Sequence, residues 1–481
     1  MPPSHHFSPL FHPRSVAVIG ASANPLKMGH QCLVSLKEGR FPGALYAVHR
    51  QAKELLGVPA YPDAARLPAE VDLAILAVPA REVMAALQAC GERGIRGAVV
   101  ITAGFKEAEG MEGAALQREM RVLADQAGMT VIGPNTFGLV NLHAGLNASF
   151  TPYLSLLKAG SISILSQSGG VAHLIAYQAL DEGVGLSKIV GLGNRCQVDF
   201  ADLLPFLAED AQTRSIILFL EGLENPRPLV RAVEEVSSRK PVIFMKAGRS
   251  AEAQQASRSH TGSLAGRYEI YAAALRNAGA VVIDEHRDLL DLARLLSWAQ
   301  PPGGRRVAVM TFQAGPGILL TDAAVRLGLH MAAFQPDTQR ELNRHLPPLT
   351  IRTNPVDLIF AGSEQVFEKV MGLILGDPGV DVLVIFLLHH PFMTLERLAP
   401  SMIRQRQAWG KPVLLCARGP RGMLEEEAAR LEEKGIPFFS LPERTIRALK
   451  GLISYGEGRR RERVTENGGG PRAPGLPPDR A

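Results

Sequence analysis

The fold of this chain is decided by the stretch Val16-Ala-Val-Ile-Gly-Ala-Ser-Ala-Asn-Pro25, which a helical pattern follows to about Glu38. Apolar residues, a small-residue turn and a helix predict a buried strand that opens a strand–helix unit. Further apolar strands are expected, with helical patterns between most of them, at residues 45–48, 73–78, 98–101 and 130–132. Because these strands are apolar on both faces, they indicate a parallel sheet covered by helices. We therefore expect a nucleotide-binding, Rossmann-type domain over residues 1–150.

The first loop departs from the dinucleotide fingerprint, since Gly20 is followed by no glycine two positions on and by none at the third position. The next strand ends in His49-Arg50, where an NAD-binding domain offers a carboxylate to the ribose. Cationic side chains suit a phosphorylated ribose instead, and both NADP and coenzyme A carry one. The alternative is that His49 and Arg50 are solvated loop residues. The loops Val78-Pro79 and Thr102-Ala-Gly-Phe105 end two further strands and border the same crevice.

A second α/β unit contains three features suited to phosphoryl transfer. The strand at residues 161–165 runs into Ser166-Gln-Ser-Gly-Gly170, and a helix follows with Leu174 and Ile175 at apolar positions. Helix-start N–H groups beside small residues form a phosphate cradle, although a tight packing turn is the alternative. Glu221 follows the strand at residues 215–220, and its carboxylate could bind one nitrogen of an imidazole.

The imidazole is that of His260, in the small-residue loop Ser259-His-Thr-Gly-Ser263. This loop lies between a strand at residues 241–245 and a helical pattern in which Ile270, Tyr271 and Leu275 share one face. With one nitrogen held by a carboxylate, the other could attack phosphorus. The alternative is an ordinary surface loop that caps a helix.

Composition restricts the class of protein. A length of 481 residues suggests about three domains, and 46% hydrophobic with 21% charged residues is ordinary for a globular protein. The formal charge of +5 suits an anionic small molecule and does not indicate nucleic acid. No apolar run reaches membrane-spanning length, and the N-terminus lacks the pattern of a secretory signal. Four widely spaced cysteines show no metal-binding spacing, so we expect a cytoplasmic protein with reduced thiols and no metal site.

A third α/β unit is expected after the linker Pro301-Pro-Gly-Gly304. Strands are predicted at residues 306–311, 380–388 and 412–416, and the loop Phe312-Gln-Ala-Gly-Pro-Gly317 leads into a helix. The expected organisation is a Rossmann-type domain over residues 1–150, flavodoxin-like domains over 151–300 and 303–456, and a disordered tail over 457–481.

Several long motifs resemble the NDP-forming acyl-CoA synthetases, a superfamily that includes succinyl-CoA synthetase and ADP-forming acetate–CoA ligase. The resemblance is to the α subunits and covers about residues 10–455 in domain order. The motifs that carry it include Gly97-Ala-Val-Val-Ile-Thr-Ala-Gly-Phe-Lys106, Val131-Ile-Gly-Pro-Asn135, Leu220-Glu-Gly222, Lys246-Ala-Gly-Arg249, Ser259-His-Thr-Gly-Ser-Leu-Ala-Gly266 and Asn354-Pro-Val-Asp-Leu358.

The resemblance implies the fold and the roles of particular residues. His260 would be the phosphorylated histidine, Glu221 its partner carboxylate, and Ser168, Gly169 and Gly170 the helix start that holds the phosphoryl group. It implies that coenzyme A occupies the crevice of the first domain, at Gly20, Ala21, Ser22, His49, Val78, Pro79, Thr102, Ala103, Gly104 and Asn135. The chain departs from the family pattern at His49-Arg50, Thr136, Arg195-Cys-Gln197 and Gln313-Ala314.

The reaction implied is the interconversion of acyl-CoA, phosphate and ADP with carboxylic acid, CoA and ATP, through an acyl phosphate and a phosphohistidine. Because the sequence contains no recognisable ATP-grasp domain, we expect ADP or ATP with Mg²⁺ to bind a separate β subunit in an α₂β₂ assembly. Two other classes of protein remain as alternatives: a non-catalytic CoA-binding regulator of the same fold, and an NADP-dependent oxidoreductase.

Overall fold

The computed structural model describes residues 7–108, 111–250, 252–255, 266–359, 363–391, 393–420 and 422–467. The chain divides into two compact units, Met1–Ala293 and Arg294–Ala481. The first unit contains two seven-stranded sheets and the second contains one six-stranded sheet. Most strand pairs are parallel, which confirms the expected α/β class.

The first sheet has the strand order β3-β4-β2-β1-β5-β6-β7, and only β3 and β4 pair antiparallel. Its strands are β1 Ser15–Ile19, β2 Ala44–Val48, β3 Glu54–Leu55, β4 Val58–Tyr61, β5 Leu73–Leu76, β6 Gly97–Val100 and β7 Thr130–Ile132. The helices are α1 Ser8–Phe11, α2 Met28–Glu38, α3 Ala80–Glu92 and α4 Met111–Ala127. The chain leaves β1 on one side for β2 and returns on the other side for β5. The carboxyl ends of β1 and β5 therefore flank a topological switch point, where ligands bind in open α/β sheets.

The second sheet has the order β14-β13-β12-β10-β11-β8-β9. Its strands are β8 Gly138–Asn141, β9 Leu146–Ser149, β10 Ala159–Ser166, β11 Leu186–Gly191, β12 Ser215–Leu220, β13 Val242–Lys246 and β14 Val281–Val282. The helices are α5 Gly169–Asp181, α6 Phe200–Glu209, α7 Arg227–Ser237, α8 Tyr268–Asn277 and α9 His286–Trp298. β8 pairs antiparallel with β11 and with β9, so this sheet begins at residue 138, before the expected domain boundary at residue 150.

Two helices bury faces that differ in part from those expected. α5 packs through Ala172, Ile175, Ala176 and Ala179, while Leu174 is 48% exposed. In α8, Tyr271 and Leu275 are buried but Ile270 is 61% exposed. The expectation for Leu174 and Ile270 is wrong because alanines as well as large apolar residues form the buried stripe, and small side chains let a helix approach the sheet closely.

The third sheet has the order β16-β15-β18-β19-β20, with β17 pairing β15, and all of these pairs are parallel. Its strands are β15 Arg306–Thr311, β16 His330–Met331, β17 Val356–Asp357, β18 Val382–Leu388, β19 Val413–Arg418 and β20 Phe438–Phe439. The helices are α10 Ala314–Arg326, α11 Pro336–His345, α12 Glu364–Gly376, α13 Leu395–Trp409, α14 Glu425–Glu433 and α15 Pro442–Asn467.

α15 extends into the segment that was expected to be a disordered tail from residue 457. The Arg305 guanidinium lies 2.6 Å from a carboxylate oxygen of Glu457, and Arg460 donates a 3.0 Å hydrogen bond to the carbonyl of Pro302. These contacts attach the helix end to the start of the third α/β unit. Residues 468–481 lie outside the described part of the chain. No helix among the described residues combines enough length and apolar character to cross a membrane.

Candidate active site

The segment from Glu221 to Leu223 follows β12 and is held by side chains from several other elements. The side-chain carbonyl of Gln167 accepts hydrogen bonds from the backbone N–H groups of Glu221 and Gly222, at 3.0 and 3.1 Å. The Lys246 ammonium, at the end of β13, donates to the carbonyl of Glu221 at 3.2 Å. Both backbone groups of Glu221 are therefore bound by side chains that are distant in sequence.

The remaining backbone groups of this segment are bound in the same way. Arg195 donates to the carbonyl of Gly222 at 3.2 Å. The Tyr271 hydroxyl accepts from the N–H of Leu223 at 3.3 Å and donates to the carbonyl of Leu223 at 2.9 Å. All six backbone polar groups of residues 221–223 thus have side-chain partners. We call these three residues the Glu221 segment.

This network restrains a segment that has no regular secondary structure of its own. Buried backbone groups without partners are costly, and here four side chains from separate elements supply every partner. Tyr271 is 6% exposed and the Arg195 side chain is 8% exposed. The conformation of the backbone that carries the Glu221 carboxylate is therefore set before any ligand binds.

The helix start at Ser168 is shaped as a cradle for an anion. The Ser166 hydroxyl donates to the carbonyl of Ser168 at 2.6 Å and accepts from the N–H of Ser168 at 3.2 Å, which forms the turn after β10. The Ser168 hydroxyl caps α5 by accepting from the N–H of Val171 at 3.5 Å. Gly169 and Gly170 begin the helix, where N–H groups have no intrahelical acceptor and favour negative charge.

Gln167 belongs to this turn and also binds the Glu221 segment. The phosphate cradle and the carboxylate predicted to assist the histidine therefore share a residue. In the sequence they are separated by more than one strand and helix, and β10 and β12 bring them together as neighbouring parallel strands. The structure thus places Ser168 and Glu221 next to each other at the carboxyl ends of two neighbouring strands of the second sheet.

His260 lies outside the described residues, so its contact with Glu221 stays a prediction. The two ends of its loop are described. Lys246, where the loop leaves β13, bonds to Glu221. At the other end Gly266 has a φ of +49°, and a Cβ there would lie 2.3 Å from the Tyr271 ring. Lys246 thus binds the Glu221 segment, and Gly266 lies beside Tyr271, which also binds it.

A cleft of about 710 Å³ lies at the switch point of the first sheet. Of the residues predicted to bind CoA, Gly20, Ala21, His49 and Val78 line it. Gly20 has a φ of +87°, and a Cβ there would lie 2.7 Å from the carbonyl oxygen of Ala77. Glycine is required at this position because the loop adopts a left-handed conformation in close contact with the neighbouring strand.

Cationic, polar and acidic groups line the cleft. The His49 Nδ1 accepts hydrogen bonds from the N–H groups of Gln51 and Ala52, at 3.3 and 3.0 Å, so in the neutral ring Nε2 carries the proton. Arg50 lies 3.3 Å from Glu82 and is 84% exposed in its side chain. His49 and Arg50 both line the cleft and can present N–H donors to an anionic group.

The other residues predicted to bind CoA lie outside the lining of this cleft. Thr102 donates to the carbonyl of Val78 at 2.6 Å, and the N–H of Asn135 donates to the carbonyl of Thr102 at 2.9 Å. These bonds join the loops after β5, β6 and β7 along the carboxyl edge of the sheet. Pro79, Ala103 and Gly104 belong to the same loops, whereas Ser22 follows β1 and its carbonyl contacts the ring of His30 at 3.0 Å.

Gly29 is a residue of this site that the sequence reasoning missed. It lies in the first turn of α2, and a Cβ there would lie 2.0 Å from the carbonyl oxygen of Gly20. It therefore allows the helix to approach the cleft loop closely, which is the task of the third glycine in dinucleotide-binding loops. The motif search did not find it because this glycine comes nine positions after Gly20, whereas the third glycine of the dinucleotide fingerprint comes five positions after the first.

Two departures from the family pattern have structural roles. The Thr136 hydroxyl donates to the carbonyl of Gly191 at 2.5 Å and accepts from the N–H of Gly138, which attaches the segment after β7 to β11 and β8 of the second sheet. The Gln197 side chain accepts from the N–H of Val131 at 2.7 Å and donates to Asp125. These contacts connect the first and second α/β domains of the first unit.

The third domain repeats the turn that precedes α5. Thr311 donates to the carbonyl of Gln313 at 2.8 Å and accepts from its N–H at 3.0 Å, as Ser166 does with Ser168. The turn leads directly into α10, and the side-chain oxygen of Gln313 is buried without a hydrogen-bond partner among the described residues. The two flavodoxin-like domains therefore share a local design at the start of the first helix.

Each of the three domains matches a known protein family. A family described as "CoA binding domain" matches residues 14–141, "Succinyl-CoA ligase like flavodoxin domain" matches residues 159–296, and "Ligase-CoA domain" matches residues 307–455. The first match identifies the domain that contains the 710 Å³ cleft as a CoA-binding domain. A nicotinamide-binding domain is not supported.

Similar proteins include two from Pyrococcus furiosus. Acetate–CoA ligase (ADP-forming) II subunit alpha is 40% identical, over 92% of this chain and 96% of the relative. Acetate–CoA ligase (ADP-forming) I subunit alpha is 35% identical, over 93% and 97%. The chain belongs to the family of ADP-forming acetate–CoA ligase alpha subunits. The expected resemblance is confirmed, and the names of these two relatives, which are alpha subunits, imply a partner subunit.

Solved structures of similar proteins agree with this ADP-forming ligase fold. An acetyl-coenzyme A synthetase from Ca. Korarchaeum cryptofilum, solved with phosphate and ADP, has a TM-score of 0.83 and 33% identity, and 94% of this chain and 97% of that chain are covered. The protein PH0766 from Pyrococcus horikoshii has a TM-score of 0.82 and 35% identity, with 94% and 99% covered.

Proposed function

We propose that this alpha subunit interconverts acyl-CoA, phosphate and ADP with carboxylic acid, CoA and ATP, through an acyl phosphate and a phosphohistidine on His260. The observation that carries the proposal is the pairing of the Ser168 cradle with the Glu221 segment through the shared residue Gln167. A regulator that only binds CoA needs no restrained carboxylate beside a phosphate cradle, so this pairing favours catalysis.

The residues divide the work of phosphoryl transfer. Phosphate attacks the acyl-CoA thioester, which releases CoA and forms an acyl phosphate. One nitrogen of His260 then attacks the phosphorus of the acyl phosphate, and the product acid leaves as its carboxylate. Glu221 accepts a hydrogen bond from the other nitrogen, which orients the ring and stabilises the positive charge that develops on it. The N–H groups at Gly169 and Gly170 offset the negative charge of the moving phosphoryl group without reorganisation.

Coenzyme A is proposed to lie along the carboxyl edge of the first sheet. Its adenosine 3′-phosphate would contact Arg50 and the Nε2–H of His49 in the 710 Å³ cleft. The loops at Thr102 and Asn135, joined by their hydrogen bond, would carry the pantetheine arm towards the Glu221 segment.

The nucleotide is proposed to bind a separate ATP-grasp β subunit, together with Mg²⁺, in an α₂β₂ assembly. Support comes from relative length. The chain covers 97% of the P. furiosus I alpha subunit but only 65% of acetate–CoA ligase (ADP-forming) I from Archaeoglobus fulgidus. The additional length of the latter is expected if the nucleotide-binding domains are fused to the alpha part in one protein and separate in the other.

The test of the mechanism is covalent labelling of the histidine. Wild type and His260→Ala are mixed with a competent ATP-grasp partner, acetyl-CoA and labelled phosphate. We expect acid-labile, base-stable label on wild type alone, since phosphoramidates hydrolyse in acid. An unlabelled wild type, or equal labelling of His260→Ala, would falsify the catalytic proposal and leave the CoA-binding regulator as the alternative.

The CoA site is tested by calorimetry with CoA, dephospho-CoA and NADP. Arg50→Met should weaken CoA about tenfold and leave dephospho-CoA unchanged, because the variant removes a charge-assisted contact to the 3′-phosphate. Arg96→Met, which changes an exposed arginine bonded to the carbonyl of Ala127, is the matched control. Binding of NADP in preference to CoA would instead support an oxidoreductase.

A further inference from the structure

A second cleft, of about 630 Å³, lies between the first two α/β domains, within the first unit. The first domain supplies Lys106, which follows β6, and one face of α4. The second domain supplies the loops after β11 and β12 and the start of α7. Residues that follow the carboxyl ends of strands in both sheets therefore border this cleft, and ligands of open α/β sheets bind at such ends.

Contacts between the two domains fix the walls of the 630 Å³ cleft. Lys106 forms an ion pair with Glu224, and Glu107 accepts a hydrogen bond from the side chain of Asn194. Asn194 also donates to the side chain of Gln117 on α4, at 3.1 Å. The cleft is therefore formed before a ligand arrives, which lowers the free-energy cost of binding.

The charge of the lining favours an anion. Among the described residues its four cationic side chains outnumber its two carboxylates. Both carboxylates are already paired, because Glu224 binds Lys106 and Asp199 lies 2.7 Å from Arg195. An anionic ligand therefore meets positive groups that the lining itself does not neutralise.

Those positive groups are Arg118 and Arg121 on α4, which lie three positions apart and so on the same face of the helix. Arg121 is 3.8 Å from Asp125, and both of these side chains are largely exposed. Arg118 is exposed and makes no hydrogen bond or ion pair with any residue that the structure describes. The first domain therefore offers two guanidinium groups to the cleft.

Arg195 is the buried cation of the lining. Its side chain is 8% exposed, and its backbone φ of +57° is a left-handed conformation that residues other than glycine rarely adopt. The guanidinium donates to Asp199 and to the carbonyl of Gly222, but its Nε is buried with no hydrogen-bond partner in the described part of the chain. Buried polar groups are nearly always paired, and strained backbone is typical of binding sites. A ligand oxygen in the cleft satisfies this N–H.

Cys196 also lines the cleft but does not make it a covalent site. Burial raises the pKa of its thiol to about 12, so the sulfur stays protonated at neutral pH and is not nucleophilic. Its Sγ lies 3.8 Å from the Sδ of Met120. The lining therefore suits reversible binding of a charged ligand.

We propose that the 630 Å³ cleft binds a small oxyanion with at least two negative charges, held between Arg118 and Arg121 of the first domain and Arg195 of the second. Guanidinium groups match the paired oxygens of both phosphates and carboxylates. The volume admits a metabolite-sized molecule as well as an inorganic ion. The occupant bridges the two domains and stabilises them against unfolding. Binding here does not depend on the phosphohistidine mechanism.

The test uses pyrophosphate and tricarballylate as probes of the two chemical classes. Each is titrated by calorimetry into the full chain at low ionic strength, with saturating CoA present to occupy the 710 Å³ cleft. Arg118→Met should weaken the tighter probe about tenfold, because it removes a charge-assisted contact, and should leave the Kd of CoA unchanged. Arg195→Lys keeps the charge but loses the Nε donor, and should weaken that probe by a similar factor. Arg96→Met, which changes an exposed arginine beside the amino end of β6, should bind it as wild type does.

Chemical modification locates the bound probe. Phenylglyoxal labels accessible arginines, and mass spectrometry of the peptides reads the extent of labelling at each one. The tighter probe should protect Arg118 and should leave Arg96 as reactive as before.

Each result decides for or against the site. Tighter binding of pyrophosphate assigns the ligand to the phosphates, and tighter binding of tricarballylate assigns it to the polycarboxylates. The proposal is overturned if neither probe binds, if Arg118→Met keeps the wild-type affinity, or if both arginines are protected equally. Where Arg195→Lys does not fold, Arg118→Met decides, since Arg118 is exposed and has no part in the cleft walls. These measurements need no partner subunit, so they stand whether or not His260 is phosphorylated.

Discussion

Replacing Tyr271 with Phe removes one hydroxyl that makes two hydrogen bonds. That hydroxyl serves both the N–H and the carbonyl of Leu223, and the side chain is 6% exposed. Burial raises the pKa of Tyr271, so the phenol stays protonated and able to donate at neutral pH. Phenylalanine fills nearly the same volume, so the variant tests the hydrogen bonds rather than the packing.

The magnitude follows from the two groups left without partners. A buried donor or acceptor that loses its partner costs about 1–3 kcal/mol. The hydrogen bond from the Leu223 N–H is long at 3.3 Å, and the hydrogen bond to the Leu223 carbonyl is short at 2.9 Å. We therefore expect the loss of both to lower the free energy of local opening by about 2 kcal/mol. At about 1.4 kcal/mol per factor of ten, the Leu223 amide should exchange about 30-fold faster.

The assay is hydrogen exchange by mass spectrometry on the peptide that contains residues 221–223. Tyr177→Phe is the matched control, because the Tyr177 side chain is 39% exposed and water can replace a bond to its hydroxyl. Phosphohistidine formation should also slow in Tyr271→Phe, since the Glu221 segment is less restrained. Unchanged exchange of the Leu223 amide, with the fold intact, would refute the view that side chains hold this segment.

Three further predictions concern the rest of the chain. Gly29→Ala should weaken CoA binding at least tenfold in calorimetry, since its Cβ would lie 2.0 Å from a carbonyl oxygen of the cleft loop, and unchanged affinity would contradict this packing. Asp210→Asn leaves the fully buried Lys188 ammonium without its carboxylate, so the free energy of unfolding, measured by thermal denaturation, should fall by about 3–5 kcal/mol. Replacing both residues with apolar ones should recover most of that stability. Hydrogen bonds from Arg404 lower the pKa of Glu368 to about 2. The stability that this carboxylate gives the folded protein is therefore fully present above its unfolded pKa of 4.5, and it is lost as pH falls through about 2. Because this pair is partly exposed, Glu368→Gln should cost less than about 1 kcal/mol and should flatten that acid dependence of the melting temperature.

Asp210 also makes the stability of the first unit depend on pH in the acid range. Burial by itself raises the pKa of this carboxyl group, but hydrogen bonds from Lys188 and Thr213 more than offset it, and the net shift is downward. A depressed pKa contributes stability above the unfolded pKa, and that stability is lost as pH falls through the folded value. The same dependence should be absent in Asp210→Asn.

Strand positions were readily predicted because the strands are apolar on both faces. The expected strands at residues 215–220 and 306–311 match β12 and β15 from end to end. Helix faces were harder, since Leu174 and Ile270 follow the apolar period and yet face outward, while alanines form the buried stripe. An apolar period shows which residues can be buried, but the neighbouring sheet decides which ones are.

The sequence by itself determined the three α/β domains, the family and the residues of the proposed chemistry: His260, Glu221 and the helix start at Ser168. These are local properties, because strand–turn–helix patterns and contiguous motifs are encoded by adjacent residues. Only the tertiary structure decided what surrounds them. Four side chains that bind the Glu221 segment come from separate elements: Gln167, Arg195, Lys246 and Tyr271. Their convergence depends on strand order and on contacts between residues far apart in the chain, which no local pattern records.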